Sequence, residues 1–263
     1  MRRKKFKYIY GPVSSWRLGV SLGIDPISQP EKICSLDCVY CQLGKTDFLT
    51  NERKIYVPTE ELMKEMAAFP GEKVDYLTFS GRGEPTLAKN LGEMITALRA
   101  VRREKIAVIT NSVLLDRKDV REELALADFV LAKLDACGPE TFQCISRPLQ
   151  AIRFDPIVAG LKEFRALFHG RLSLQLMFID ANKKMAHEMA LIAREIRADQ
   201  IEINTPLRPS AVRPLTESEL DAIKKFFIGL PVKTVYEAQR KTVRALDKDD
   251  TIKRHGHYED SAS

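Results

Sequence analysis

Three of the five cysteines lie within eight residues, in the segment Ile33-Cys34-Ser-Leu-Asp-Cys38-Val-Tyr40-Cys41-Gln42. Three thiolates on one short loop can ligate three corners of a cubane 4Fe–4S cluster and leave the fourth iron without a protein ligand. A closed zinc site wants four ligands, and zinc ribbons are usually built from two C-x2-C pairs. Only one such pair is present here, and the nearest histidine after it is His169. Cys137 or Cys144 could complete a zinc tetrahedron, so a zinc-binding module stays open as an alternative. The same two thiols make an incomplete ligand set for a second cluster. An odd cysteine count with this clustering does not read as a disulfide framework. Three ligands plus an open position suit chemistry at a metal better than a structural staple.

The elements that must position these thiols follow from about residue 74 onward. Short apolar runs predict strands at Val74–Ser80, Lys105–Thr110, Phe129–Leu134, Leu172–Ile179 and Gln200–Asn204, with Gly19–Ile24 as a first strand before the cysteine loop. They read as near-continuous apolar runs, the pattern of strands covered on both faces. Helical patterns fall near 59–69, 87–101, 117–126, 154–168, 184–198 and 216–227, the last opened by a capping box at Thr216-Glu-Ser-Glu219. About six β-then-α units imply a parallel sheet with right-handed crossovers, either an open doubly wound sheet or a barrel. In both, function sits at the C-terminal ends of the strands. Polar residues at those ends are therefore candidates: Lys133 and Asp135, Gln175, then Asn204, Thr205 and Arg208. Asp135 and Gln175 are the expected catalytic contacts, and Arg208 is suited to an anionic substrate group.

The chain has 263 residues, 44% of them hydrophobic and 30% charged, an ordinary balance for a soluble globular protein. The net charge of +6 is carried by the ends: five basic side chains in residues 1–7, and six basic against five acidic in 238–263. The segment between is balanced. A basic arm can touch phosphates, though such arms are more often solvated tails. No apolar run suggests a signal peptide or a membrane span, so the reading is a soluble cytoplasmic protein. Residues 1–230 are expected to form the core domain with its short basic arm. Residues 231–263 are expected to form an extension ending in a loose polar tail, with His255-x-His257 solvated.

The pattern C-x3-C-x-aromatic-C, with Tyr40 as the aromatic, resembles the signature of the radical S-adenosylmethionine (radical SAM) enzymes. Ser80-Gly-Arg-Gly83-Glu84-Pro85-Thr-Leu resembles that family's Gly-Gly-Glu segment in a GEPTL form, and Thr110-Asn111 resembles its Thr-Asn-Gly turn, with Ser112 in place of the glycine. The opening Tyr10-Gly11-Pro12-Val13 through Ser21-Leu22-Gly23-Ile24-Asp25 resembles a branch related to the wyosine-base synthases that modify tRNA. That branch usually has two arginines where Trp16-Arg17 stands here, and its synthases carry cysteines ahead of the radical motif, whereas none precedes Cys34.

The resemblance implies a partial (β/α)6 TIM-like barrel binding a 4Fe–4S cluster on Cys34, Cys38 and Cys41. It further implies S-adenosylmethionine on the open iron, with Tyr40 near the adenine, the backbone of Gly83, Glu84 and Pro85 at the methionine ammonium, and Asn111 at the carboxylate or ribose. Reductive cleavage to a 5′-deoxyadenosyl radical would then abstract hydrogen from a substrate, a tRNA base or a protein, with electrons from a flavodoxin- or ferredoxin-like donor. A glycyl-radical activating enzyme and a non-catalytic iron–sulfur or zinc module are the alternatives.

Overall fold

The computed structural model describes residues 6–238 and 243–256. Most of the expected basic arm and His257 lie outside the described residues. Ten strands are found among those described: β1 (Ile9–Ser15), β2 (Gly19–Ile24), β3 (Ile33–Cys34), β4 (Phe48–Leu49), β5 (Tyr76–Phe79), β6 (Lys105–Thr110), β7 (Phe129–Lys133), β8 (Arg171–Met177), β9 (Gln200–Asn204) and β10 (Val232–Thr234). Eight of them form one sheet in the order β1-β2-β5-β6-β7-β8-β9-β10. From β2 to β10 every pairing is parallel, and only β1 runs antiparallel, against β2. This is the mostly parallel α/β sheet of a partial barrel. The two edge strands approach through Trp16, whose ring carries Lys233 Nζ of β10 at 5.6 Å.

The helices are α1 (Thr59–Ala67), α2 (Leu91–Val101), α3 (Lys118–Leu124), α4 (Pro139–Ser146), α5 (Phe154–Leu167), α6 (Ala186–Ile196), α7 (Glu217–Lys224) and α8 (Lys248–His255). The strands they cover are not apolar on both faces. Leu172, Leu174 and Leu176 of β8, and Ile201 and Ile203 of β9, are buried in the main core with the helices. Their alternates Gln175, Met177 and Asn204 line an interior cavity, and Ser173 and Glu202 are buried between them. A period of two thus separates an aliphatic outer face from a chemically mixed inner one. Leu18, Ala107, Phe129 and Leu131 form a small second cluster, with Tyr76 and Ile109 packed against it.

Two elements differ from expectation. β1 escapes a sequence reading because Gly11-Pro12 interrupts its run; proline is tolerated on an edge strand, where a lost donor matters less. Part of the expected loose tail, Lys248–His255, instead forms α8, packed against β1. Although the helix is polar, its ends favour it. Asp247 caps the N-terminus by accepting from Asp250 N at 3.0 Å, and Lys253, Arg254 and His255 occupy the last turn, where cations complement the helix dipole. The expected capping box of α7 is present, with Thr216 and Glu219 exchanging bonds.

Close packing of α5 on the turn after β6 requires a bare backbone at Gly160, where a Cβ would come within 2.3 Å of the Leu115 carbonyl oxygen. Gly160→Ala should therefore lower stability by about 1–3 kcal/mol in urea unfolding. Gly138→Ala, whose Cβ meets nothing within 4 Å, should change it by less than about 0.5 kcal/mol. Equal effects of the two would contradict this account of the packing.

Candidate functional site

The cysteine loop is wound tightly and pinned at both sides. β3 pairs with β4, so Cys34 lies opposite Leu49, and Thr50 N donates to the Cys34 carbonyl at 2.9 Å. Asp37 N and Val39 N donate to carbonyls of Ser146 and Ile145 at the end of α4, at 3.1 and 3.0 Å. Within the loop, Cys41 N donates to the Cys38 carbonyl at 3.0 Å. The Asp37 carboxylate accepts from Thr46 N at 2.7 Å.

Two ammonium groups, buried Lys32 and half-buried Lys133, stand near the thiols. Lys32 Nζ donates to Cys41 Sγ at 3.1 Å and to the Gly44 carbonyl at 2.6 Å. Lys133 Nζ stands 4.8 Å over the Tyr40 ring and 3.5 Å from Asp135 Oδ2. Burial disfavours the Lys133 charge, but Cys38, Asp135, Cys41 and Cys34 together outweigh it, and its pKa lies above the ordinary lysine value. All three thiols thus lie within electrostatic reach of one cation. Burial pushes the Cys34 thiol up to about 12, with the nearby Glu84 charge adding to the shift. It raises Cys38 as well, against the pull of Lys133. Ionising Cys34 and Cys38 therefore calls for added positive charge, which a bound metal provides.

Iron fits this donor set. The three thiols share one loop, while Cys144 is exposed and Cys137 faces Thr141 Oγ1 at 3.6 Å. Among the described residues no three His, Cys, Asp or Glu side chains gather closely enough for a single ion. A cubane, whose corners are separate irons, spreads its ligands more widely than one ion does.

Behind the loop lies a buried carboxylate. Glu84 is 2% exposed. Its Oε1 accepts from Thr86 N, Thr86 Oγ1 and Thr110 Oγ1 at 3.1, 2.7 and 2.6 Å, and its Oε2 accepts from Asn111 N at 2.7 Å. Glu84 N donates to the Ile33 carbonyl at 3.2 Å. A Cβ on Gly83 would come within 2.1 Å of that same oxygen, so the glycine is needed for contact with the cysteine loop. Asn111 Nδ2 donates to Ser35 Oγ at 2.8 Å and lies 3.5 Å from Cys34 Sγ. Ser112 adopts φ 72°, the left-handed region that favours glycine. Its backbone N donates to Thr110 Oγ1 at 3.1 Å.

A cavity of about 290 Å3 opens beside the loop, with Cys41, Tyr40, Lys133 and Gln175 on its wall. Gln175 Oε1 accepts from Arg17 Nη2 at 2.7 Å, and Arg17 also pairs with Glu202. Asp135 stands behind the wall: it accepts the Tyr40 hydroxyl, and Met177 N donates to it at 2.7 Å. Gly83, Glu84, Pro85 and Asn111 are grouped against Cys34 rather than on the cavity wall. Arg208, Asn204 and Thr205 line the cavity, as do three groups that sequence reasoning did not assign to the site: Tyr10, Arg17 and Arg254. Arg17 could have been found from its place in the opening motif. Arg254 gave no such signal, because it belongs to a helix that was read as a tail.

Comparison with known proteins agrees with this arrangement. A family model described as the radical SAM superfamily matches residues 30–193. A UPF0026 protein of Synechocystis is 41% identical over 209 residues, covering 79% of this chain and 78% of that protein. A UPF0026 protein of Methanocaldococcus jannaschii is 37% identical over 223 residues, covering 82% and 68%. Among solved structures, Streptococcus suis SuiB bound to S-adenosylmethionine superposes with a TM-score of 0.60 at 15% identity, covering 78% of this chain and 48% of SuiB. This chain thus spans about half the length of SuiB. Archaeal TYW1 gives a TM-score of 0.56 at 17% identity, covering 81% and 72%. These two structures share the fold.

Because Oε1 and Oε2 of Glu84 each accept a backbone N–H, a glutamine can satisfy only one of them. Glu84→Gln should cost about 1–3 kcal/mol of stability, the range for an orphaned buried donor. Urea unfolding checks this, and an unchanged midpoint and slope would show that the network is dispensable.

Proposed function

We propose that this chain, which belongs to the radical SAM superfamily, is an enzyme that cleaves S-adenosylmethionine reductively and uses the resulting radical on a substrate held in the barrel cavity. The observation that carries this reading is the triad of half-buried thiols on one pinned loop, with Cys41 on the wall of a lined cavity that Lys133 also lines. Cys34, Cys38 and Cys41 would hold the 4Fe–4S cluster. When bound and reduced, that cluster supplies the electron that splits S-adenosylmethionine into methionine and a 5′-deoxyadenosyl radical.

The chain's own residues would orient and insulate this chemistry. Lys32 and Lys133 place two positive charges beside three thiolates, offsetting a negative charge that burial makes costly. The Gly83–Pro85 backbone and Asn111, at the ends of β5 and β6 beside Cys34, would receive the amino-acid end of the cofactor. Tyr40, with its ring on the cavity wall and its hydroxyl tied to Asp135, would face the adenine. Asp135 then acts as a positioning residue for Tyr40 and Lys133. Gln175 contributes an amide to the wall and is the candidate for direct substrate contact. Electrons would come from a flavodoxin- or ferredoxin-like donor, and a tRNA base is one candidate substrate.

The test is anaerobic reconstitution with iron and sulfide, reduction, addition of S-adenosylmethionine and assay for 5′-deoxyadenosine. The wild-type chain should take up iron and form the product; Cys38→Ala should lose both. Undiminished iron in Cys38→Ala would refute its role as a ligand. A wild-type chain that loads zinc in preference to iron would support the metal-staple alternative and overturn the radical reading.

A further inference from the structure

The charges lining the cavity are all of one sign. Arg17, Lys133, Arg208 and Arg254 line it, and no Asp or Glu does so among the described residues. Lys133 is matched by the thiols and Asp135, and Arg17 by Glu202. Arg208 and Arg254 stand on two further segments that the fold brings to the cavity wall.

Arg254 is held by only part of its fork. Its Nη2 pairs with Asp250 at 3.1 Å, one turn earlier on α8, and the side chain is 11% exposed. Its Nη1 is buried with no hydrogen-bond partner. A buried guanidinium donor without an acceptor is costly, and here it belongs to a side chain on the wall of a cavity. Arg208 stands on the same wall, its Nη1 donating to the His255 carbonyl at 2.6 Å and to Gln42 Oε1 at 3.2 Å. These bonds tie α8 to the loop next to Cys41. Both arginines are within electrostatic reach of the Tyr10 hydroxyl, which bonds Ser80 Oγ at 2.6 Å.

We propose that Arg208 and Arg254 form an oxyanion clamp for the substrate, so that the molecule acted on carries a carboxylate or a phosphoryl group. Guanidinium forks suit both groups, because their paired donors match two acceptor oxygens. The assignment rests on reading this cavity as the substrate site of a radical enzyme. The clamp itself needs only the folded chain.

Trp16 is the sole tryptophan of the chain and lines the same cavity, so its fluorescence reports occupancy. The full chain, without cluster, is titrated with inorganic phosphate and separately with acetate, chloride holding the ionic strength constant. At least one should give a saturable change, and the tighter of the two identifies the substrate's anionic group. Arg208→Gln and Arg254→Gln should each weaken binding about 10- to 100-fold, the usual worth of a charge-assisted contact. Arg254→Lys keeps the charge and should weaken it less. Arg153→Gln, away from the cavity, should have no effect. Absence of saturation with either anion, or binding unchanged in both arginine variants, would overturn the clamp. Displacement of the anion by S-adenosylmethionine would reassign it to the cofactor's carboxylate and overturn the substrate role. The titration uses the chain without its cluster, whereas the radical reading is tested by iron uptake and 5′-deoxyadenosine formation, so the two can fail separately.

Discussion

Glu84 is a carboxylate taken out of water, and the site depends on what surrounds it. Removing such a charge from solvent costs several kcal/mol even after relaxation. Burial alone pushes its pKa above the usual carboxylate range, and only the hydrogen bonds from Thr110, Asn111 and Thr86 work against that. Those donors come from two strand ends that adjoin only in the folded sheet. The carboxylate therefore cannot be satisfied until β5 and β6 are paired. Once it is, the adjoining Gly83–Glu84 backbone is held against Ile33, one residue before Cys34. The position of the first thiol thus follows from the pairing of the parallel strands, through one acid.

The six parallel strands from β2 to β9 could be read because their outer faces are strongly aliphatic and their spacing leaves room for helices. The inner face was harder to read. In β8 and β9, residues Ser173, Gln175, Glu202 and Asn204 alternate with leucines and isoleucines, but the aliphatic density makes the run look uniformly apolar. Their role appears only when a neighbouring strand supplies partners: Arg17, on the turn after β1, reaches both Gln175 and Glu202. A contact between residues 17 and 202 leaves no local trace in the chain.

The cysteine triad was legible for the opposite reason. Ligand spacing on one loop is local, so the number of thiols and their separation carry the chemistry without any fold. The glycine-rich segment after β5 was legible as a motif but not in its mechanics. Glycine at 83 first permits contact with the Ile33 carbonyl, whatever else approaches that backbone. Ser112 illustrates the same limit: a serine in place of glycine gives no hint that the position still takes a left-handed φ. The polar helix α8 was not legible at all, because its stability comes from its ends and from packing on β1 rather than from an apolar stripe.

The buried charges sort by depth, and that ordering bears on how the cavity works. On the turn after β1, Arg17 is matched by Glu202 and Gln175 and packed over Trp16 at 4.3 Å. Removing one member of such a set leaves the others uncompensated in a dry interior, which makes the arrangement rigid. Beside the cysteine loop, Lys133 is shared among Asp135, the Tyr40 ring and three thiols, so its field falls where metal-bound sulfur would carry negative charge. On α8, Arg254 is bonded through only part of its fork, and that helix is joined to the barrel by a few polar contacts and its packing on β1. A guanidinium donor left without an acceptor at low dielectric is costly, and an anion that bonds it removes that cost. The fully bonded charges hold the cavity wall in place, and the one guanidinium nitrogen left without an acceptor, Arg254 Nη1, belongs to a side chain that lines the same cavity.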